Sequence, residues 1–247
     1  PTHPYPPITT ILGAIAEAIA KQYKLGETSA PQLLKAISQN ILVATYRAVN
    51  YVPVKYQDIN KIIVVKESGK IATDAPARGK TITVPLTPGE PPILEAVISF
   101  REDRLTCCSR EIIIEPDLLW EIHRTGSKES LVNVWSIEEV KSKIEISNAS
   151  KIITRYAFPL TYIEQINNQK GTWEVMWQVD PYKPESWHKT PATSYTFGKA
   201  TTPYMVPVKP EEPETPCFVE VTLKPGFAIL DLDGYKAIGR RVKNGAD

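Results

Sequence analysis

Apolar side chains at Ile8, Ile11, Leu12, Ile15, Ile19 and Tyr23 repeat with the three-and-four spacing of a helix that buries one stripe. Pro6 and Pro7 stand just ahead of that repeat and set the chain direction, and Thr9 or Thr10 is placed to cap the helix by accepting from an orphan backbone N–H. Gly13 and the alanines at 14, 16, 18 and 20 keep one flank thin, so another backbone can come close. Gly26 is expected to close the helix. Ser29 then caps a second helix over about 31–40, with Leu33, Leu34 and Ile37 as its buried stripe.

Beyond residue 40 the rhythm changes to strands. Ile41 to Val54 is rich in β-branched and aromatic residues and reads as one strand. Ile62–Val65 and Lys70–Thr73 flank Ser68-Gly69 as a hairpin, with further strands at Thr81–Val84 and Ile93–Phe100. Arg110–Ile114 and Leu118–Ile122 are expected as strands on either side of Pro116, and 136–147 as a short helix and a strand. Ile152 to Ile166 is strand-like with a break at Pro159, and Trp173–Val179 alternates cleanly. The proline-rich 180–216 reads as long loops or an arm over a sheet. Phe218–Leu223 is a strand, and Ile229–Leu232 and Tyr235–Ile238 form a hairpin about Asp233-Gly234, the favoured pair for a two-residue turn. Two early helices followed by many strands define an α+β protein, not a parallel doubly wound one.

Composition narrows the function. The 247 residues are 42% hydrophobic and 23% charged, with a net charge of +1, so any polyanion site is a local patch and not a uniformly basic surface. One patch is visible: in 61–80, Lys61, Lys66, Lys70, Arg78 and Lys80 face only Glu67 and Asp74, a local excess of +3. That hairpin is either a grip on a nucleic-acid backbone or a sheet edge guarded by lysines. The first helix has the same double reading, as a close-packed core element or as an N-terminus presenting free N–H groups to a phosphate. Cys107, Cys108 and Cys217 match neither a zinc spacing nor a disulfide framework, so reduced thiols and a cytoplasmic setting are expected, with no metal and no cofactor. No apolar run is long enough to cross a bilayer and no signal-peptide pattern occurs, so no membrane partner is expected.

Motifs for other chemistry fail on inspection. Gly79-Lys80-Thr81 ends like a phosphate-binding P-loop, but Asp74 occupies the leading glycine position. His3, His123 and His188 are too scattered for a metal site. His123, close in sequence to Lys128, is the one candidate for metal-free RNA cleavage, against the commoner role of an exposed or structural histidine.

Taken in order, the motifs resemble a known family. Tyr5-Pro6-Pro7-Ile8-Thr9-Thr10-Ile11-Leu12-Gly13 resembles the helix start of CRISPR-associated RAMP proteins. Arg110-Glu111-Ile112 resembles the arginine that enters a strand after that family's insertion. Gly126-Ser127-Lys128-Glu129-Ser130 resembles a loop of the Cas-five branch, and Asp231–Tyr235 is similar to the end of archaeal type I-A members. The resemblance implies a ferredoxin-like, RRM-related core from 1–54 and 110–180, a β-hairpin thumb over 55–109, and a proline-rich arm with the C-terminal hairpin over 181–247. It implies a strand ahead of Pro6-Pro7, and because the sequence opens almost at that turn, the core sheet is expected to lack it. It also implies a role without catalysis: holding the 5′ handle of CRISPR RNA at one end of the antiviral Cascade complex, against the Cas-seven backbone subunit and the large subunit. Thr9, Thr10 and Gly13 would lie on the handle backbone, Arg110 beside the thumb base, and Lys66, Lys70, Arg78 and Lys80 on the RNA. The alternatives are a metal-independent endoribonuclease acting on repeat RNA, as in type I-C systems, and an interaction scaffold without RNA contact.

Overall fold

The computed structural model describes residues 5–59, 62–65, 68, 71–74, 77–126, 130–183, 200–212 and 214–242. Helix α1 (Ile8–Gln22) is the centre of the largest core: Ile8, Leu12, Ile15 and Ile19 are almost wholly buried, and so are Ala14, Ala16 and Ala18 on the thin flank. The helix begins two residues earlier than a Thr9 cap would set it, and three earlier than a Thr10 cap. Pro7 occupies the N-cap position without a side-chain bond, so Thr9 and Thr10 lie inside the first turn and cap nothing. At the other end Lys24, at φ 51°, takes the left-handed position expected of Gly26, and the Leu25 N–H reaches back to the Ala20 carbonyl. Helix α2 (Ala30–Asn40) follows with Leu33 and Ile37 fully buried; Ser29 sits at its N-cap but makes no side-chain bond.

The next part of the chain forms one nested antiparallel ribbon. β1 (Ile41–Ala48), β2 (Tyr51–Ile59) and β3 (Ile62–Val65) run out, and β4 (Ile71–Asp74), β5 (Ala77–Pro85) and β6 (Leu94–Phe100) return. Val65 faces Ile71 at the tip, Tyr51 faces Pro85, and Ala48 faces Leu94 at the base. The expected single strand over 41–54 is therefore two strands, parted at Val49-Asn50 where Asn50 Nδ2 donates to Glu90 and a proline-rich segment bulges from the return limb. The base of the ribbon packs on α1 and α2, while Val54, Ile82 and Val84 farther out are exposed.

β7 (Arg104–Cys107) and β8 (Arg110–Ile113) make a tight hairpin whose turn places Cys108 and Ser109 at φ 55° and 59°. Leu118–Ile122 is not a strand: Pro116–Glu121 is a 3-10 turn that drives Leu118 into the core beside α1. The proline fixes a helical φ at the start of that turn, and local bonds replace sheet pairing. The expected helix within 136–147 is also absent; 132–143 has no regular structure before β9 (Ile144–Ile146).

The remaining strands form three antiparallel sheets. β10 (Lys151–Thr154) and β12 (Ile163–Lys170) flank β15 (Phe218–Leu223). β11 (Phe158–Pro159) and β13 (Thr172–Val179) flank β14 (Thr201–Lys209). β16 (Phe227–Leu232) pairs with β9 and with β17 (Tyr235–Arg241) through the expected Asp233-Gly234 turn, both residues at positive φ. Within 180–216, expected as long loops or an arm over a sheet, residues Thr201–Lys209 are instead the paired strand β14. Its Pro203 and Pro207 are tolerated because β11 covers only Tyr204 and Met205, leaving the rest of that edge open, where a missing N–H breaks no ladder. The chain is thus α+β, mostly strands in small sheets with two helices among the described residues.

The three cysteines are free, with Cys107 and Cys217 buried. Burial, aided by the neighbouring Cys108 thiol, pushes the Cys107 thiol up to about 12, and burial pushes Cys217 up to about 11. The thiolate is the reactive form. Iodoacetamide at pH 8 is therefore expected to alkylate both residues at least ~100-fold more slowly in the native chain than in urea, as read by peptide mass spectrometry.

Candidate functional site

The tip of α1 meets the loop that carries Gly126. Thr125 N–H donates to the Ser130 carbonyl and Val132 N–H to the His123 carbonyl, closing a small loop over 123–132. Gly126, at φ 90°, lies so close to the Thr10 methyl that an added Cβ would stand 3.0 Å from it. The loop is pinned lower down as well: Arg124 Nη2 is 3.3 Å from Glu17 Oε1, which Lys21 also holds at 3.1 Å. The Lys21 hydrogen bond is the main reason the Glu17 carboxyl is held below the usual carboxylate range. Ala14, Glu17 and Lys21 face Glu121, His123, Arg124 and Leu131 across a cleft of about 250 Å³.

Thr9 and Thr10 are half-buried at this tip, and Gly13 opens on space, with no atom within 4 Å of where a Cβ would sit. Those three positions are brought together. Arg110 is elsewhere: its Nη1 donates to the Tyr23 carbonyl at 3.1 Å, at the opposite end of a 15-residue helix, roughly 20 Å away at 1.5 Å per residue. There it satisfies a carbonyl with no intrahelical partner and meets the negative end of the helix dipole. Arg240 does the same for α2, with Nη1 at 3.0 Å from the Gln39 carbonyl and 3.3 Å from that of Ser38.

Lys66 and Lys70 lie outside the described residues, as does Lys128. Arg78 stands in β5 opposite Asp58, and Lys80 opposite Tyr56. Lys80 is half-buried and has an interaction partner of its own. Arg78 and Lys80 therefore belong to the outer half of the ribbon, while the α1 tip packs in the core at its base. His123 is exposed at the cleft, on the loop side with Arg124 and across from Lys21.

Sequence reasoning missed Arg47 and Arg155, which line a second groove between the ribbon base and the C-terminal sheets. The available signal was a lone arginine inside each of two otherwise apolar strand runs, since a charge in such a run is kept only for a reason. No group of three or more potential metal ligands occurs among the described residues, and no described helix is long and apolar enough to cross a membrane.

An antiparallel α+β architecture with a long two-stranded ribbon and a helix at its base is the class these features define. Comparison with protein-family models and with curated protein sequences gives no match. Among solved structures, the chain is similar to one described as a CRISPR protein from Archaeoglobus fulgidus, with a TM-score of 0.67 and 29% sequence identity. The likeness covers 97% of this chain and 89% of that one, which supports a CRISPR-associated protein.

Proposed function

We propose that this chain is a non-catalytic CRISPR RNA-binding subunit that holds the 5′ handle of the guide in a type I-A Cascade complex. The observation that carries the reading is the likeness to a CRISPR protein over nearly the whole chain. The ribbon adds to it. A two-stranded arm has little core of its own, and this one has a basic outer half and exposed Val54, Ile82 and Val84, surfaces suited to a nucleic-acid backbone and a neighbouring subunit. On this reading β3 to β5 lie within the thumb over 55–109, α1 and β1 belong to a ferredoxin-like core over 1–54 and 110–180, and the Cas-seven and large subunits are the protein neighbours.

Purification of the full chain from cells expressing a CRISPR array tests the proposal directly. A small RNA with a uniform 5′ end should co-purify, and its absence would overturn the reading. The cleft at His123, Lys21 and Arg124 gives the endoribonuclease its own test. Repeat RNA incubated in EDTA should stay intact; a specific cut lost in His123→Ala would favour the enzyme.

Gly13 separates a binding role from a packing one. Alanine in the middle of a helix is worth about 1 kcal/mol more than glycine, and the added methyl meets nothing in the free protein. Gly13→Ala should therefore raise the thermal midpoint while weakening RNA binding several-fold, as measured by melting and by fluorescence anisotropy. Greater stability with unchanged affinity would remove this face of α1 from the RNA site.

A further inference from the structure

The groove between the ribbon base and the C-terminal sheets contains a cation, Arg155, with no carboxylate on it among the described residues. Arg155 follows β10 and is half-buried, yet among the described residues it has no carboxylate partner and no hydrogen bond to protein. What fixes it is stacking: its guanidinium carbon lies 4.4 Å above the Tyr235 ring centre and 5.9 Å from that of Tyr156. Arg47, on β1, lines the same groove with its side chain only 12% exposed, and donates through Nη2 to Glu95 at 2.5 Å. Glu95 also accepts from the Tyr156 hydroxyl, and Arg47 lies 5.5 Å from the Tyr156 ring centre. Tyr156 thus couples the two arginines, and the one carboxylate between them is committed to Arg47. The Nε atoms of both arginines are buried and unpartnered.

A half-buried guanidinium without an anion is costly, because a desolvated charge needs a partner. A guanidinium held flat by aromatic faces is also pre-oriented, so little freedom is lost when an oxyanion meets its fork of donors. The groove is about 90 Å³, suited to a phosphate group and not to a nucleoside, and Tyr5, Tyr51 and Pro207 supply low-dielectric walls that strengthen the charge interaction. Glu214 is exposed and also lines the groove, the one carboxylate there with no arginine on it.

We propose that this groove holds one phosphate group of a single-stranded RNA, gripped by Arg155 on its Tyr235 platform beside the Arg47–Glu95 ion pair. The inference rests on the RNA-binding reading and places a binding point outside the ribbon and the α1 tip.

The test uses the full chain and a 3′-fluorescein-labelled eight-nucleotide RNA, carrying either a 5′-hydroxyl or a 5′-phosphate, in anisotropy titrations across a salt series. Arg155→Ala should weaken binding about tenfold and lower the slope of log affinity against log salt by roughly 0.7, the value for one single-strand phosphate contact. Arg155→Lys, which keeps charge but loses the stacked fork, should retain the slope and recover part of the affinity. Glu214→Gln should tighten binding two- to threefold. An effect confined to the 5′-phosphorylated RNA assigns the groove to a terminal phosphate; an equal effect on both RNAs assigns it to a backbone diester. Unchanged affinity and slope in folded Arg155→Ala overturns the groove while leaving the RNA-binding reading intact. No binding of either RNA by the wild-type chain overturns both. If Arg155→Ala does not fold, Glu214→Gln decides, a gain supporting the groove and no change overturning it.

Discussion

Replacing Gly239 with alanine is expected to cost the fold about 3 kcal/mol and to lower the thermal midpoint by roughly 6–12 °C. Gly239 is buried in β17 where that strand crosses β1. A Cβ there would stand 2.2 Å from the Leu42 carbonyl oxygen and 2.8 Å from a Val43 methyl. The first neighbour is backbone in the ribbon's base strand, so it cannot rotate out of the way. Either β17 lifts off β1, opening the cluster of Val43, Tyr156, Ala228, Leu230 and Ala237, or the ribbon base shifts. The neighbouring hairpin glycine is a control. Gly234, at φ 87°, opens on empty space, so alanine there meets only backbone strain, of order 1 kcal/mol. A melt in which Gly239→Ala is no worse than Gly234→Ala would mean that β17 does not approach β1 this closely.

That close approach also shows where the sequence stopped being informative. Features encoded within one turn or one helix face were readable. The α1 stripe follows from the spacing of Ile8, Leu12, Ile15 and Ile19, and the last hairpin from Asp233-Gly234. Features set by residues distant in the chain were not. Nothing around Gly239 signals that Leu42, nearly two hundred positions away, needs its missing side chain. Pro203 and Pro207 argued against a strand, because the sequence cannot show that β11 is too short to pair beside them. Thr9 and Thr10 matched a capping pattern, but Pro7 started the helix first.

The site was legible in the same uneven way. The glycine loop at 126 meets the α1 tip at the Thr10 methyl, a contact that no local pattern in either segment indicates. Arg110 was read by its position after an insertion, yet the carbonyl it serves, that of Tyr23, lies far back along the chain. Arg47 and Arg155 become conspicuous only when the fold shows that Glu95 answers one of them and, among the described residues, no carboxylate answers the other. Charge counted along the chain finds the basic hairpin, because its lysines are neighbours in sequence. It cannot find two arginines brought together from separate strands.

The combined variant Lys66→Ala, Lys70→Ala, Arg78→Ala and Lys80→Ala separates the two readings of that hairpin. If the four residues grip RNA, each phosphate left without its cation takes about 0.7 off the salt slope, so the variant's slope should fall by up to roughly 3 and little guide should stay bound at physiological salt. Arg78 has Asp58 as its register partner, and opposite charges directly across a ladder in general offset one another. Lys66 and Lys70, next in sequence to β3 and β4, should therefore account for more than half of the effect when mutated as a pair. If instead the lysines only guard an exposed two-stranded edge, the signature reverses. RNA retention and salt slope would stay unchanged, while the variant would self-associate through unprotected strand backbone, visible as concentration-dependent mass in light scattering. A fall in RNA retention without a change in mass supports the grip, and a change in mass with RNA retained removes the ribbon from the RNA site.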